Sequence, residues 1–156
     1  MSIKSICKTQ IATMPKDSTL KDISQLMQKK HVGSVVVTEA YDGKKIPAGI
    51  ITDRDIALAL GSSKNPQTLK VESIMQSQPI TVKASEGIFA TIAIMRKNGV
   101  KRLPVVTDDG SLFGIICADD LLSLMGEEIN NLAKITETQI KKEQGVRIPV
   151  AKQVQL

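Results

Sequence analysis

The sequence predicts an α/β protein: two tandem β-α-β-β-α units packed as a pseudo-twofold pair, followed by a C-terminal helix. Three observations predict it. The chain repeats itself in two blocks that keep their order. Each repeat carries apolar residues at three- and four-residue spacing, the signature of an amphipathic helix. Each repeat then shows two short apolar runs separated by a turn rich in Asp and Gly, which reads as a hairpin.

The repeat is visible by eye. Met27–Thr38 (MQKKHVGSVVVT) aligns with Met95–Val106 (MRKNGVKRLPVV), so that Met27 meets Met95, Lys29 meets Lys97 and Val32 meets Val100. Gly49–Leu60 (GIITDRDIALAL) aligns with Gly114–Met125 (GIICADDLLSLM) at nearly every position. The offset is 68 in the first block and 65 in the second, because the first hairpin (TEAYDGKKIPAG) is longer than its counterpart (TDDGSLFG).

In chain order, IATMP and PITV are extended lead-ins to the two repeats. Ser18 and Ser85 follow, and each hydroxyl is placed to cap the next helix by accepting from an orphan amide. Leu20, Ile23, Leu26 and Met27 form the buried stripe of the first helix; Ile88, Ile92 and Met95 form that of the second. The runs VVV and LPVV are too short for helices and are rich in β-branched residues, so they read as strands. After the turn, GII supplies the returning strand in both repeats. TDRDIALAL and CADDLLSLM then start helices with acidic residues in the first turn, where the helix dipole favours them. Neither repeat buries both faces of its sheet alone, which is why the two should pack together.

Composition fits an ordinary globular chain: 156 residues, 42% hydrophobic and 24% charged, which excludes disorder as the main state. Aromatic residues are scarce, with Tyr41, Phe89, Phe113 and no Trp, so stacking platforms for unpaired bases are nearly absent. The net charge of +5 lies in scattered doublets such as Lys29-Lys30, Lys44-Lys45 and Lys101-Arg102, which read as solvated faces. The surplus still favours anionic partners. Cys7 and Cys117 have no metal-ligand spacing and do not call for an oxidising compartment. No signal peptide and no apolar run of about 18 residues is present, so the expected location is cytoplasmic.

The candidate chemistry sits where each returning strand meets its helix. A glycine at the strand start allows close approach of backbone to a ligand. The helix N-terminus behind it presents unsatisfied amides suited to phosphate. Thr52 is placed to donate to a phosphate oxygen, and Asp55 to accept from a ribose diol. The plainer alternative is that Thr52 caps the helix and Asp55 steadies its first turn. Apolar side chains between the strands are suited to sandwiching a purine.

Gly49-Ile50-Ile51-Thr52-Asp53-Arg54-Asp55 and Gly114-Ile115-Ile116-Cys117-Ala118-Asp119-Asp120 close two β-α-β-β-α repeats, and this pattern resembles the CBS domain, named for cystathionine β-synthase. Arg102-Leu103-Pro104-Val105-Val106 also resembles that family's second-strand segment. The resemblance covers about residues 3 to 126. It implies CBS domains at 3–62 and 70–126; beyond them, residue spacing reads as a helical extension at 127–144 and the alternation around Pro149 as an extended or disordered tail at 145–156.

The resemblance further implies two ligand clefts between the domains. The first would use Thr52, Asp55, Gly33, Ser34, Met75 and Ile80. The second would use Asp120, Cys117, Lys101, Arg102, Cys7 and Ala12, with Arg102 as the phosphate candidate because its planar fork suits an oxyanion. Cys117 departs from the Thr/Ser of the pattern, and a thiol donates weakly. The implied ligand is an adenosine-bearing molecule: AMP, ADP, ATP, NAD or S-adenosylmethionine. The implied assembly is a homodimer, acting on an effector protein that the sequence does not name.

Catalytic and metal sites are not expected. His31 and Cys117 fall in different repeats with no third orienting group, and P-loop, GxGxxG and HExxH motifs are absent. The reading is therefore a non-enzymatic, stand-alone regulatory module. Two alternatives remain: a polynucleotide-binding protein, favoured by charge but opposed by the missing aromatics, and a protein-protein scaffold with vestigial clefts. Beyond the repeat, Leu122, Met125, Ile129, Leu132, Thr136 and Ile140 form a helical packing stripe expected to contribute to the dimer.

Overall fold

The computed structural model describes residues 1–146; the tail expected at 145–156 lies outside the described residues from Arg147 onward. Residues 1–118 form one compact unit, and the described residues from Asp119 to Val146 belong to another. The first repeat contributes β1 (Thr13–Pro15), α1 (Leu20–Lys30), β2 (Ser34–Tyr41), β3 (Lys44–Thr52) and α2 (Asp53–Ser62). The second contributes β4 (Gln76–Ser77), β5 (Val82–Lys83), α3 (Ile88–Asn98), β6 (Arg102–Val106), β7 (Leu112–Cys117) and α4 (Ala118–Val146). The α/β architecture with a C-terminal helix is thus the one the sequence predicts, and α4 runs without a break from Ala118 through the expected extension.

The strands form two sheets, ordered β1-β2-β3-β4 and β5-β6-β7. In each, the lead-in strand runs parallel to the first hairpin strand, with Met14 opposite Val37 and Val82 opposite Val105. The hairpins are antiparallel and carry a register shift at matching places, Val37/Thr38 and Val105/Val106. Asp42 and Gly43, at φ 50° and 71°, make the tight two-residue turn of the longer hairpin.

The run of three valines in β2 is explained by burial on both faces. Val35 and Val37 join Leu20, Ile23, Met27 and Ile51 in the first repeat's core. Val36 points the other way and packs with Ile50 and with Ile115 of the second repeat. One strand therefore serves the core of its repeat and the seam between repeats. Where the first repeat has Val36, whose N–H bonds the Ala12 carbonyl at 3.0 Å, the second has Pro104. Proline has no N–H to offer. The parallel pairing accordingly begins one position later, at Val82, and β5 has two residues where β1 has three.

Each repeat is completed by a segment that precedes the other. Ile3 N and Lys4 N bond the carbonyls of Glu86 and Ala84, and Lys8 pairs with Ile115 in both directions at 2.9 Å. Correspondingly, Val71 N bonds Ser18 O, and β4 pairs with β3 at Gly49 and Ile50. Ile3 and Val71 are both fully buried.

Three expectations about helices need correction. The cap of α1 is Thr19, not Ser18: its hydroxyl accepts from Asp22 N, and Asp22 Oδ2 accepts from Thr19 N at 2.9 Å, a reciprocal box that Ser18 has no acidic partner to form. The cap of α3 is Gly87, not Ser85, and it contributes no side-chain bond. The buried stripe of α3 runs through Ile88, Thr91 and Met95, while Ile92 is exposed. Thr91 is tolerated inside because its hydroxyl donates to Gly87 O at 2.8 Å.

Candidate functional site

The turn from β3 into α2 gathers four of the six residues expected at the first cleft. Ser34 opens β2 directly opposite Thr52, the last residue of β3. Gly33 O accepts from Asp53 N at 3.1 Å, closing the mouth. Thr52 caps α2: its hydroxyl accepts from Asp55 N at 3.3 Å and donates to Asp55 Oδ2 at 2.8 Å, while Thr52 N donates to the same oxygen at 2.8 Å. The capping alternative is therefore the geometry present. Both bonds to the carboxylate use Oδ2; among the described residues, Asp55 Oδ1 makes no hydrogen bond.

Met75 and Ile80 come from the segment between repeats. Gly49, expected to let backbone approach a ligand, instead makes room for Met75: a Cβ there would meet the Met75 side chain and stand 3.0 Å from Gln76 O. Met75 also lines an open groove of about 510 Å³ with Lys16, Glu39, Glu72 and Gln78. Ile80 is half-buried ahead of β5.

The second repeat has the same frame with different chemistry. Arg102 lies opposite Cys117 in the register, as Ser34 lies opposite Thr52, and Ala118 N bonds Lys101 O at 2.8 Å. Cys7 sits beside Gly114, whose missing Cβ would fall 3.0 Å from Cys7 Sγ and 2.8 Å from Lys8 O. Burial pushes the Cys7 thiol pKa up, as suits a packing residue. Ala12 is buried in the first repeat's core, where its side chain serves packing. Asp120 stands in the first turn of α4.

One residue at the first mouth was missed by the sequence reading. A Cβ on Gly33 would stand 3.1 Å from Asp53 Oδ2, so glycine is what allows that carboxylate to lie over the strand start. The second repeat has Lys101 at the position of Gly33 and Ala118 at that of Asp53. Both changes fall at one shared backbone contact, Asp53 N to Gly33 O in the first repeat and Ala118 N to Lys101 O in the second. The first mouth pairs the uncharged Gly33–Ser34 strand start with the α2 turn of Asp53, Arg54 and Asp55. The second has the two cations Lys101 and Arg102 at the strand start, where the first has Gly33 and Ser34. The signal was available in the aligned repeats, where Gly–Asp is replaced by Lys–Ala.

His31 is exposed at the end of α1 in the left-handed conformation, φ 53°. Among the described residues, no group of three or more His, Cys, Asp or Glu is placed to hold a metal ion, and no helix is long and apolar enough to cross a membrane.

The model of the CBS domain matches this chain twice, over residues 3–62 and 71–127. The chain belongs to the CBS-domain family. Among relatives of this CBS pair, protein MK0525 of Methanopyrus kandleri is 31% identical over 125 residues, 80% of this chain and 62% of that protein. The pair thus spans less than two thirds of that relative's length. Among solved structures it resembles the CBS domain protein PAE2072 from Pyrobaculum aerophilum, complexed with AMP, at TM-score 0.69 and 23% identity, covering 77% of this chain and 89% of that one. It also resembles the CBS domain pair of protein MJ0100, in complex with 5-methylthioadenosine and S-adenosyl-L-methionine. That match has TM-score 0.72 and 24% identity, and covers 82% of this chain and 98% of the other. At these identities the structural likeness establishes the fold.

Proposed function

We propose that this CBS pair is a cytoplasmic regulatory module that binds an adenosine-bearing ligand and has no catalytic step of its own. The observation that carries the reading is the Thr52–Asp55 turn. It presents a helix N-terminus and a carboxylate with one oxygen open, beside the Gly33–Ser34 backbone at the end of a buried strand. That combination suits a ribose diol on Asp55 Oδ1 with a purine against the apolar strands. Structural neighbours that hold AMP, 5-methylthioadenosine and S-adenosylmethionine support the same ligand class.

The domains are taken as 3–62 and 70–126, with 127–144 as a helical extension. The two mouths differ in charge, and we propose that they differ in ligand. The first mouth, with the uncharged Gly33 and Ser34 at its strand start, suits an uncharged or cationic adenosyl compound. The second, with Lys101 and Arg102, suits a phosphorylated one such as AMP. Binding acts by favouring one arrangement of the two repeats over another, which requires different affinities for the two arrangements. The working form is a homodimer that reports to an effector protein.

The test exploits composition. With no Trp and a single Tyr, the protein barely absorbs near 280 nm, so a bound purine dominates its ultraviolet spectrum. Freshly purified protein should release a stoichiometric adenine compound on denaturation, identified by mass spectrometry. If it releases none and no adenosine compound binds at millimolar concentration, the reading fails.

A further inference from the structure

We infer that α4 is an antiparallel pairing helix, whose apolar stripe is covered by the same stripe of a second copy of this chain. This deepens the homodimer of the proposed function by naming its contact surface. α4 is 29 residues long, and large apolar side chains along it are open to solvent: Leu122 is 73% exposed, Ile129 67%, Leu132 66%, Ile135 61% and Ile140 49%. At 3.6 residues per turn, Leu122, Met125, Ile129, Leu132, Thr136 and Ile140 fall within a stripe of about 80°, running about 27 Å along the helix, and Ile135 flanks it. Covering these side chains on two chains removes roughly 1,000 Å² from water, the size at which an interface becomes specific.

The charges select both occupant and direction. From Ala118 to Leu132 the helix carries Asp119, Asp120, Glu127 and Glu128 and no basic residue. From Ala133 to Val146 it carries Lys134, Lys141 and Lys142 against Glu137 and Glu143. A parallel pair would set four carboxylates against four. An antiparallel pair sets the acidic half of each helix against the basic half of the other, so the helix is complementary to itself reversed. The same arrangement centres the stripe. Ile129 comes opposite the partner's Leu132, Met125 opposite the partner's Thr136, and Leu122 beside the partner's Ile140. An anionic membrane surface would repel the acidic half, which leaves a second copy as the occupant the charges fit.

Sedimentation equilibrium of the full chain tests this, with circular dichroism confirming that each variant is folded. The wild type should be a dimer at micromolar concentration, and Leu132→Glu a folded monomer. Glu127→Gln/Glu128→Gln tests direction: in the antiparallel pair it removes attraction and should weaken dimerisation about tenfold, whereas in a parallel pair it removes repulsion and would tighten it. A wild type that is monomeric at tens of micromolar, with or without binding to anionic vesicles, overturns the proposal. So does a Leu132→Glu variant that remains dimeric, and tightening by Glu127→Gln/Glu128→Gln overturns the direction. Adenine-compound binding, measured separately on the wild type, reports on the cleft reading whichever way the helix result falls.

Discussion

Lys44 Nζ stands 2.8 Å from Asp109 Oδ2, so the tips of two hairpins from different repeats are joined by an ion pair. The contact depends on the extra length of the first hairpin, whose Asp42-Gly43 turn delivers Lys44 at the start of β3. Lys44, the Thr107 hydroxyl and the Ser111 N–H together hold the Asp109 carboxyl well below the usual carboxylate range. A carboxylate whose pKa is depressed by folding stabilises the fold above its unfolded pKa, about 3.9, and loses that contribution as pH falls further. Wild type should therefore melt slightly above Asp109→Asn at neutral pH. The gap should close as pH falls below about 4. Both side chains are about half exposed, so added salt should also narrow it. Thermal melts across pH and salt check this.

The glycines that open the two strand motifs make a second pair of predictions. Gly49→Ala drives a methyl into the flexible Met75 side chain and against Gln76 O; Gly114→Ala drives one against the Lys8 backbone. Each should cost about 1–3 kcal/mol in denaturant unfolding. Met75→Ala should recover part of the loss from Gly49→Ala. No side-chain deletion should rescue Gly114→Ala, because its nearest obstacle is a main-chain carbonyl.

The mouths can be exchanged. Gly33→Lys alone sets a side chain against the Asp53 carboxylate and should destabilise the fold, whereas Gly33→Lys/Asp53→Ala rebuilds the arrangement of Lys101 and Ala118 and should be tolerated. Chemical denaturation of the single and double variants reads the coupling.

Arg102→Ala should weaken AMP by about ten- to a hundredfold, the worth of a charged hydrogen bond, and leave 5-methylthioadenosine nearly unchanged. Equal losses for both ligands would remove Arg102 from the phosphate role.

Much of this was legible in the sequence because it depends on local periodicity and on repetition. The helices of Leu20–Lys30 and Ile88–Asn98, the two hairpins and the strand-to-helix turns at Thr52 and Cys117 all follow from spacing read twice. The exchange of segments was not legible. Ser2–Lys8 and Leu69–Ser77 are short and irregular, and what fixes them is pairing to strands far along the chain. The caps were misplaced for a related reason: Ser18 and Thr19 are both good capping residues, and only Asp22 three residues on decides for Thr19. Thr91 was passed over because a hydroxyl reads as polar until the Gly87 carbonyl is seen to accept from it. At the site, the sequence drew Thr52, Asp55, Gly33 and Ser34 together, but Asp53 emerged only when the space above Gly33 was measured.

The Thr52–Asp55 box has a built-in control. Thr19 and Asp22 make the same reciprocal cap at the start of α1, away from either mouth. Thr19→Ala and Thr52→Ala should each cost about 1 kcal/mol of stability. Only changes at the α2 box should affect ligand.

The most direct measurement of the central claim is a calorimetric titration of AMP, and separately of 5-methylthioadenosine, into wild type, Thr19→Ala and Asp55→Ala. The account predicts that wild type and Thr19→Ala bind alike, and that Asp55→Ala loses about tenfold or more in affinity for the ligand of the first mouth. Equal binding by all three proteins, or no binding of either compound to the wild type, would contradict it.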